Sequence, residues 1–359
     1  MTCVRVLLLA DTHLGFDSPL HPRVARRRRG DDFYANTMLA LQPALRGEVD
    51  LVVHGGDLLY RSRVPASLVE RALTPLIQVA EAGTPVYLVP GNHERSRIPL
   101  HLWARHPNVH IFDRPRTFVC RTGAGTVALS GWPFVRVVRD RFPGLLDECG
   151  LGQSAADVHL LCIHQTVEGA KVGPANYTFR TGPDIVPGRE IPSGVDAVLA
   201  GHIHRAQVLK RDLAGRPLSA PVIYPGSVER TAFAERDETK GYAIVTVGGA
   251  GEGGKWRAEA RFVPLPARPM VVLAHEPQSA EPEGLAAELQ ERLKALHPDS
   301  VVRVTLHGEH APAARAALSA ARLRSLAPPT MNIELAPARL PADSGNGLDG
   351  WSDVREENC

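Results

Sequence analysis

Apolar, β-branched runs recur through the first 250 positions, and each closes on a polar signature. The run at 4–10 closes on Asp11-Thr12-His13, the run at 50–54 on Gly55-Gly56-Asp57, and the run at 85–89 on Pro90-Gly91-Asn92-His93-Glu94. Further along, 159–163 closes on His164, 195–200 on Gly201-His202-Ile203-His204, and 222–224 on Pro225-Gly226-Ser227. Unbroken apolar runs of this kind read as strands buried on both faces. Helix-length segments lie between the early runs, at 32–46 and 66–82, with Gly83 placed to cap the second. The alternation predicts an α/β sandwich of layered sheets. Every polar signature then falls at the C-terminal end of its strand, the edge where open α/β sheets bind ligands.

The segments 241–247 and 256–265 read as a closing hairpin around a glycine-rich turn. A Pro-rich linker follows at 265–269, and the pattern then restarts on a smaller scale. Strand 270–274, helix 284–296, strand 301–306, helix 311–321 and strand 331–335 predict a small β-α-β-α-β domain. The expected parts are therefore a large domain at 1–266, a small one at 267–337 and a disordered tail at 338–359, which carries no periodicity.

Composition narrows the class. Lys plus Arg number 41 against 39 Asp plus Glu, so any attraction to phosphate is local rather than global. No apolar run reaches the roughly 18–20 residues that a membrane span needs. The five cysteines (Cys3, Cys120, Cys149, Cys162 and Cys359) form no CxxC pair, which speaks against a disulfide framework and a structural zinc site. With no leader pattern after Met1, the expected location is the cytoplasm.

The polar signatures suit divalent metals. Two cations about 3.5–4 Å apart can clamp the attacking and leaving oxygens of a phosphoryl transfer, using oxygen and imidazole ligands. Seven candidates stand at the strand ends: Asp11, His13, Asp57, Asn92, His164, His202 and His204. Asp-x-His and Gly-Asp are common strings, and a lone histidine is more often a core or surface residue. Gly-His-x-His after a buried strand says more, because alternate residues of an extended segment face the same way. His54, inside a buried strand, reads as a core hydrogen-bonding residue, and Trp132-Pro133-Phe134 as packing.

Together, Asp11-x-His13, Gly56-Asp57, Gly91-Asn92-His93-Glu94, His164 and Gly201-His202-x-His204 resemble the calcineurin-like metallophosphoesterase superfamily. Within it, Thr12-His13-Leu14-Gly15 and Pro225-Gly226-Ser227-Val228-Glu229-Arg230 resemble the SbcD-like DNA repair exonucleases. The resemblance covers residues 4 to about 265 and implies a four-layer α-β-β-α sandwich, with the small domain standing where that family carries its DNA-capping domain. It further implies that Asp11, His13 and His204 bind one metal, that Asn92, His164 and His202 bind a second, and that Asp57 bridges them. His93 would stay off the metals as the catalytic residue, stabilising charge on the phosphate or protonating the leaving oxygen. Manganese is the family's usual metal. DNA, an SbcC-like SMC-family ATPase and a second copy of the chain are the implied partners, although no helical periodicity follows the last predicted strand.

One position departs from the family pattern: Tyr60 stands where a histidine often pairs with the His93 equivalent. The densest positive charge, Arg26-Arg27-Arg28-Arg29, follows the first signature, and we expect it to contact a phosphate backbone. Two other functions fit the same residues: a phosphoesterase of this fold acting on a small nucleotide or phosphoprotein, and a non-catalytic subunit that binds DNA ends.

Overall fold

Strand β1 (Cys3–Leu9) must be covered on both sides, because Val4, Val6 and Leu8 alternate with Leu7 and Leu9 and all five are fully buried. The computed structural model, which describes residues 3–17, 27–94, 105–250, 256–279 and 281–337, shows what covers them. Leu7 and Leu9 pack with Val52 and Leu88 against helix residues Phe33, Ala40, Leu73 and Leu76. Val4, Val6 and Leu8 face a second sheet through Val127, Leu129, Leu160 and Leu199.

The first sheet takes in β2 (Leu51–His54), β3 (Val86–Leu88) and β4 (Val109–Ile111), all running parallel to β1. The second is built on β5 (Arg116–Thr122), β6 (Gly125–Gly131) and β7 (Val158–His164). Four two-residue strands follow: β8 (Thr166–Val167), β9 (Lys171–Val172), β10 (Tyr177–Thr178) and β11 (Ile185–Val186). The second sheet is completed by β12 (Ala197–Gly201), β13 (Gln207–Arg211) and β14 (Pro217–Tyr224), and the first by the antiparallel hairpin β15 (Gly241–Ala250) and β16 (Trp256–Pro264). Each sheet has six strands, ordered β16-β15-β1-β2-β3-β4 and β13-β14-β12-β7-β6-β5.

Helices close the outer faces. Helices α1 (Arg29–Ala40), α2 (Gln42–Leu45) and α3 (Ala66–Glu81) lie on the first sheet. Helix α4 (Val138–Glu148) lays Val138, Phe142 and Leu145 on Leu161, Ile163 and Val198 of the second. The result is the four-layer α-β-β-α sandwich that the motifs implied. The helix expected at 32–46 is two helices, broken next to Pro43, whose ring supplies no backbone donor. It also starts earlier, because the Asp17 carboxylate accepts from the amides of Arg29 (2.9 Å) and Gly30 (3.1 Å) and caps the first turn. The strands between 109 and 131 and helix α4 escape the periodicity reading: β5 alternates only weakly, and Pro143 sits inside α4.

By contacts, the chain divides at Arg268 and Pro269. The second unit holds parallel strands β17 (Met270–His275), β18 (Val301–Leu306) and β19 (Asn332–Leu335), with α5 (Pro282–Lys294), α6 (Ala311–Ala317) and α7 (Ala320–Ser325). Leu285, Leu289 and Leu293 form one stripe of its core against Val302 and Val304. The helix expected at 311–321 is split, because Ser319 leaves the helix and its hydroxyl caps Arg322 N. The tail expected to be disordered, 338–359, lies outside the described residues. Among the described residues, no helix is long and apolar enough to cross a membrane.

Candidate metal centre

Register brings the signatures together. Leu9 pairs with His54 in the first sheet and Gly201 with His164 in the second, so the following residues leave their strands side by side. The loop after β1 then continues along the loop after β2, with Asp11 N donating to Gly56 O (2.9 Å) and His13 N to Asp57 O (3.0 Å). The two sheets converge at this edge because Gly201 has no side chain; a Cβ there would overlap the Gly55 carbonyl. Asp11, His13, Asp57 and His202 all adopt positive φ (51°, 43°, 52° and 85°). Four non-glycine residues in that region cost free energy, and the surrounding hydrogen bonds hold them there, as at many functional sites.

The side chains meet in one buried cluster. His13 Nε2 lies 3.0 Å from His204 Nε2. Asn92 Oδ1 sits 3.1 Å from both His164 Nε2 and His202 Nδ1. Asp57 Oδ2 is 3.5 Å from His164 Nε2 and 3.7 Å from His93 Nε2, while its Oδ1 accepts from His93 N at 3.1 Å. Asp11 accepts the His202 amide at 3.1–3.2 Å. Among the described residues, three groupings offer ligand atoms within 4.8 Å of one another: Asp11, His13 and His204; His13, Asp57 and His93; and Asp57, His164 and His202. Asp57 belongs to two of them, next to imidazoles on either side. Within the cluster, His13 Nδ1 is buried without a hydrogen-bond partner. Such a set of carboxylate, amide and imidazole donors fits a pair of divalent cations.

Electrostatics follow from burial. Burial would raise the Asp57 carboxyl, but the His164, His93 and His13 imidazoles hold it well below the usual carboxylate range. The Asp11 carboxyl is pushed up to about 6 by burial, against the pull of His204 and His164. Burial, then His164, lowers His202 to about 3; burial, then His204, takes His13 well below the normal imidazole value. Both are therefore neutral and have lone pairs to offer. His164 goes the other way, to about 9: burial opposes its charge, but Asp57 outweighs it. Its Nδ1 faces Gly55 O at 2.7 Å, which aims Nε2 at the cluster.

Three supporting residues, Glu94, Glu235 and Lys240, are given no role by the sequence. Glu94 is 1% exposed, and its carboxylate accepts from Leu59 N (2.7 Å) and Gly91 N (2.9 Å), tying the turns that carry Asp57 and Asn92. Burial, reinforced by the Asp57 charge, pushes it up to about 8. Glu235 and Lys240 stand behind His204. Only the Gly-Asn-His-Glu string offers a hint, and only for Glu94. His54 spends its ring nitrogens on Thr12 Oγ1 (3.0 Å) and Gly56 N (3.2 Å).

The arginine run divides. Arg26 lies outside the described residues. Arg27 is exposed and pairs with Asp32 at 2.7 Å, and Arg28 is half-buried. Arg29, expected in the exposed run, is instead turned inward: its guanidinium donates to the Arg230 carbonyl and lies over the rings of Phe16 (4.8 Å) and Phe33 (5.7 Å). A helix register set by the Asp17 cap puts position 29 on the buried face, so it is no surface contact. Tyr60 is a near-parallel neighbour of His93, with centroids 6.3 Å apart, and packs on Phe16 at 4.7 Å.

A two-sheet sandwich with this donor set at its edge defines a metallophosphoesterase, and the chain belongs to the calcineurin-like phosphoesterase family, whose profile matches residues 4–206. That family works with a dimetal centre. Among particular proteins, the chain is 27% identical over 316 residues to the DNA double-strand break repair protein Mre11 of Methanosarcina mazei, covering 85% of this chain and 45% of that one. It is 29% identical over 311 residues to the protein of that name from Haloferax volcanii, covering 85% and 62%. It is also 26% identical over 260 residues to the uncharacterized metallophosphoesterase YhaO of Bacillus subtilis, covering 69% and 58%. The chain spans about half the length of the first of these relatives.

Proposed function

We propose that this chain hydrolyses DNA phosphodiester bonds with two divalent cations, manganese as the working pair, in DNA repair. The observation that carries the reading is the position of Asp57 within two ligand groupings, one with His13 and His93 and the other with His164 and His202. Bound there, a cation pair would supply charge neutralisation for the phosphodiester and an acidified water. Asp11, His13 and His204 would hold one, Asn92, His164 and His202 the other, and Asp57 would be shared. His93 is 14% exposed, against 0% for His164 and 21% for His204, so its ring is open to an arriving phosphate. From there its Nε2 stabilises charge on the phosphate or gives a proton to the leaving oxygen. The relatives named for double-strand break repair support DNA as the substrate class.

The test is a substrate panel with Mn²⁺: single- and double-stranded DNA, bis(p-nitrophenyl) phosphate, nucleotides and a phosphopeptide. Degradation of DNA is the expected result. Turnover of bis(p-nitrophenyl) phosphate without DNA cleavage would reassign the site to another phosphoester.

A further inference from the structure

His204 is backed by a half-buried charge network that centres on the buried Lys240. Glu235 Oε1 lies 2.8 Å from His204 Nδ1 and accepts from Thr231 Oγ1 at 2.9 Å. Its Oε2 accepts from Thr231 N at 3.1 Å and pairs with Lys240 Nζ at 2.9 Å. Lys240 is 1% exposed and also reaches Glu238 Oε2 and the carbonyl of His204, both at 2.8 Å. Arg205, next to His204, closes the network on Glu238 Oε1 at 2.8 Å.

We propose that Glu235, clamped by Lys240, is a positioning residue that holds His204 as its Nδ1–H tautomer and turns its Nε2 toward the cation shared with Asp11 and His13. The inference rests on the two-cation reading above. Two observations carry it. First, a carboxylate can only accept, so a neutral His204 facing it donates from Nδ1 and leaves the Nε2 lone pair free on the side of His13. Second, Glu235 is fixed by contacts other than His204: Lys240 pairs with both Glu235 and Glu238, and Arg205 pairs with Glu238. Lys240 grips both Glu235 and the backbone carbonyl of His204, which fixes the residue at its ring and at its main chain. A carboxylate behind a ligating imidazole raises its basicity and sets its direction. No such carboxylate backs His164, whose Nδ1 faces a carbonyl, so the two cation sites respond differently to loss of Glu235.

The experiment uses the full chain. In the metal-free protein, at a pH where the ring is neutral, long-range ¹H–¹⁵N spectra report the His204 tautomer, assigned by comparison with His204→Gln. The Nδ1–H form is expected in wild type and a tautomer mixture in Glu235→Ala. Calorimetric titration with Mn²⁺ is expected to show two ions in wild type. In Glu235→Ala one of them should weaken by about 10–100-fold while the other keeps its affinity. Lys240→Met should weaken the same ion. Where Glu235→Ala does not fold, the nearly isosteric Glu235→Gln carries the test, with a loss nearer tenfold because the amide oxygen still accepts from Nδ1. Two ions of wild-type affinity together with an unchanged Nδ1–H signal in the glutamate variants overturn this inference alone. A wild-type protein that binds no pair of cations overturns the two-cation reading and this inference with it.

Discussion

His13 and His204 face each other through their Nε2 atoms at 3.0 Å, although 191 positions separate them in the chain. One leaves β1 of the first sheet and the other follows β12 of the second. Two imidazole nitrogens brought this close, with Asp11 alongside, form a ligand set that neither sheet could supply alone. The centre is therefore a property of the contact between sheets, and its sensitivity to substitution follows from that.

Asp57 is the point where the two halves join. Asp57→Asn keeps the volume and removes the charge shared by both groupings. Hydrolysis should fall by at least about 10³-fold, since several kcal/mol of charge stabilisation is lost with the cation pair. Mn²⁺ stoichiometry should drop below two per chain by calorimetry, and an unaltered stoichiometry would overturn the bridging role proposed for Asp57.

His93 should behave differently. With His93→Ala the cation pair should remain, while kcat falls by about 10²–10⁴-fold, the range for loss of a positioned acid or charge stabiliser. Metal content and steady-state rates on bis(p-nitrophenyl) phosphate separate the two effects. Loss of a cation in this variant would make His93 a ligand, consistent with its place in the grouping with His13 and Asp57.

The turn after β3 is packed against Asp57 without slack. A Cβ on Gly91 would overlap the Asp57 carboxylate and backbone nitrogen. Gly91→Ala should destabilise the fold by about 1–3 kcal/mol through overpacking, and it should abolish hydrolysis. Urea denaturation and activity measured together check it, and a fully active variant would show that this turn is free to move.

Glu94→Ala tests the same turn from behind. It strands the buried amides of Leu59 and Gly91 that the carboxylate now satisfies. The expected loss is about 2–4 kcal/mol, with weaker Mn²⁺ binding because the Asp57 and Asn92 turns are no longer tied together. A midpoint equal to wild type would mean that water replaces the carboxylate at no cost.

The arginines separate surface from core. Replacing Arg26, Arg27 and Arg28 with Ser should reduce the salt slope of DNA affinity, by about 0.7–0.9 for each phosphate that is no longer neutralised. Arg29→Ser should instead lower stability by about 2–4 kcal/mol, because it removes the bond to the Arg230 carbonyl and the stacking on Phe16 and Phe33. Its salt slope should match wild type. The reverse pattern, a stable Arg29→Ser with a flattened slope, would place that guanidinium on DNA.

Much of the fold was legible because its signals are local. Apolar runs such as 4–10 and 159–163 mark buried strands whatever their neighbours, and Gly-Gly-Asp or Gly-Asn-His marks a turn by its own backbone needs. The family strings added the pairing of those strand ends into one site. Where local signals compete, detail is hidden: Pro43 and Ser319 split helices that periodicity alone runs together, and Pro143 masks one.

By itself, the sequence determined which residue types stand at the ends of which strands, because side-chain period and turn chemistry are written along the chain. Only the tertiary structure decided who stands behind them. Glu94 beneath the Asp57 turn, Glu235 and Lys240 behind His204, and Arg29 folded under Phe16 depend on strand register, on the approach of the two sheets at Gly201 and Gly55, and on the cap from Asp17. Those partners are brought together by packing across the whole domain, and no period or spacing in the chain records them.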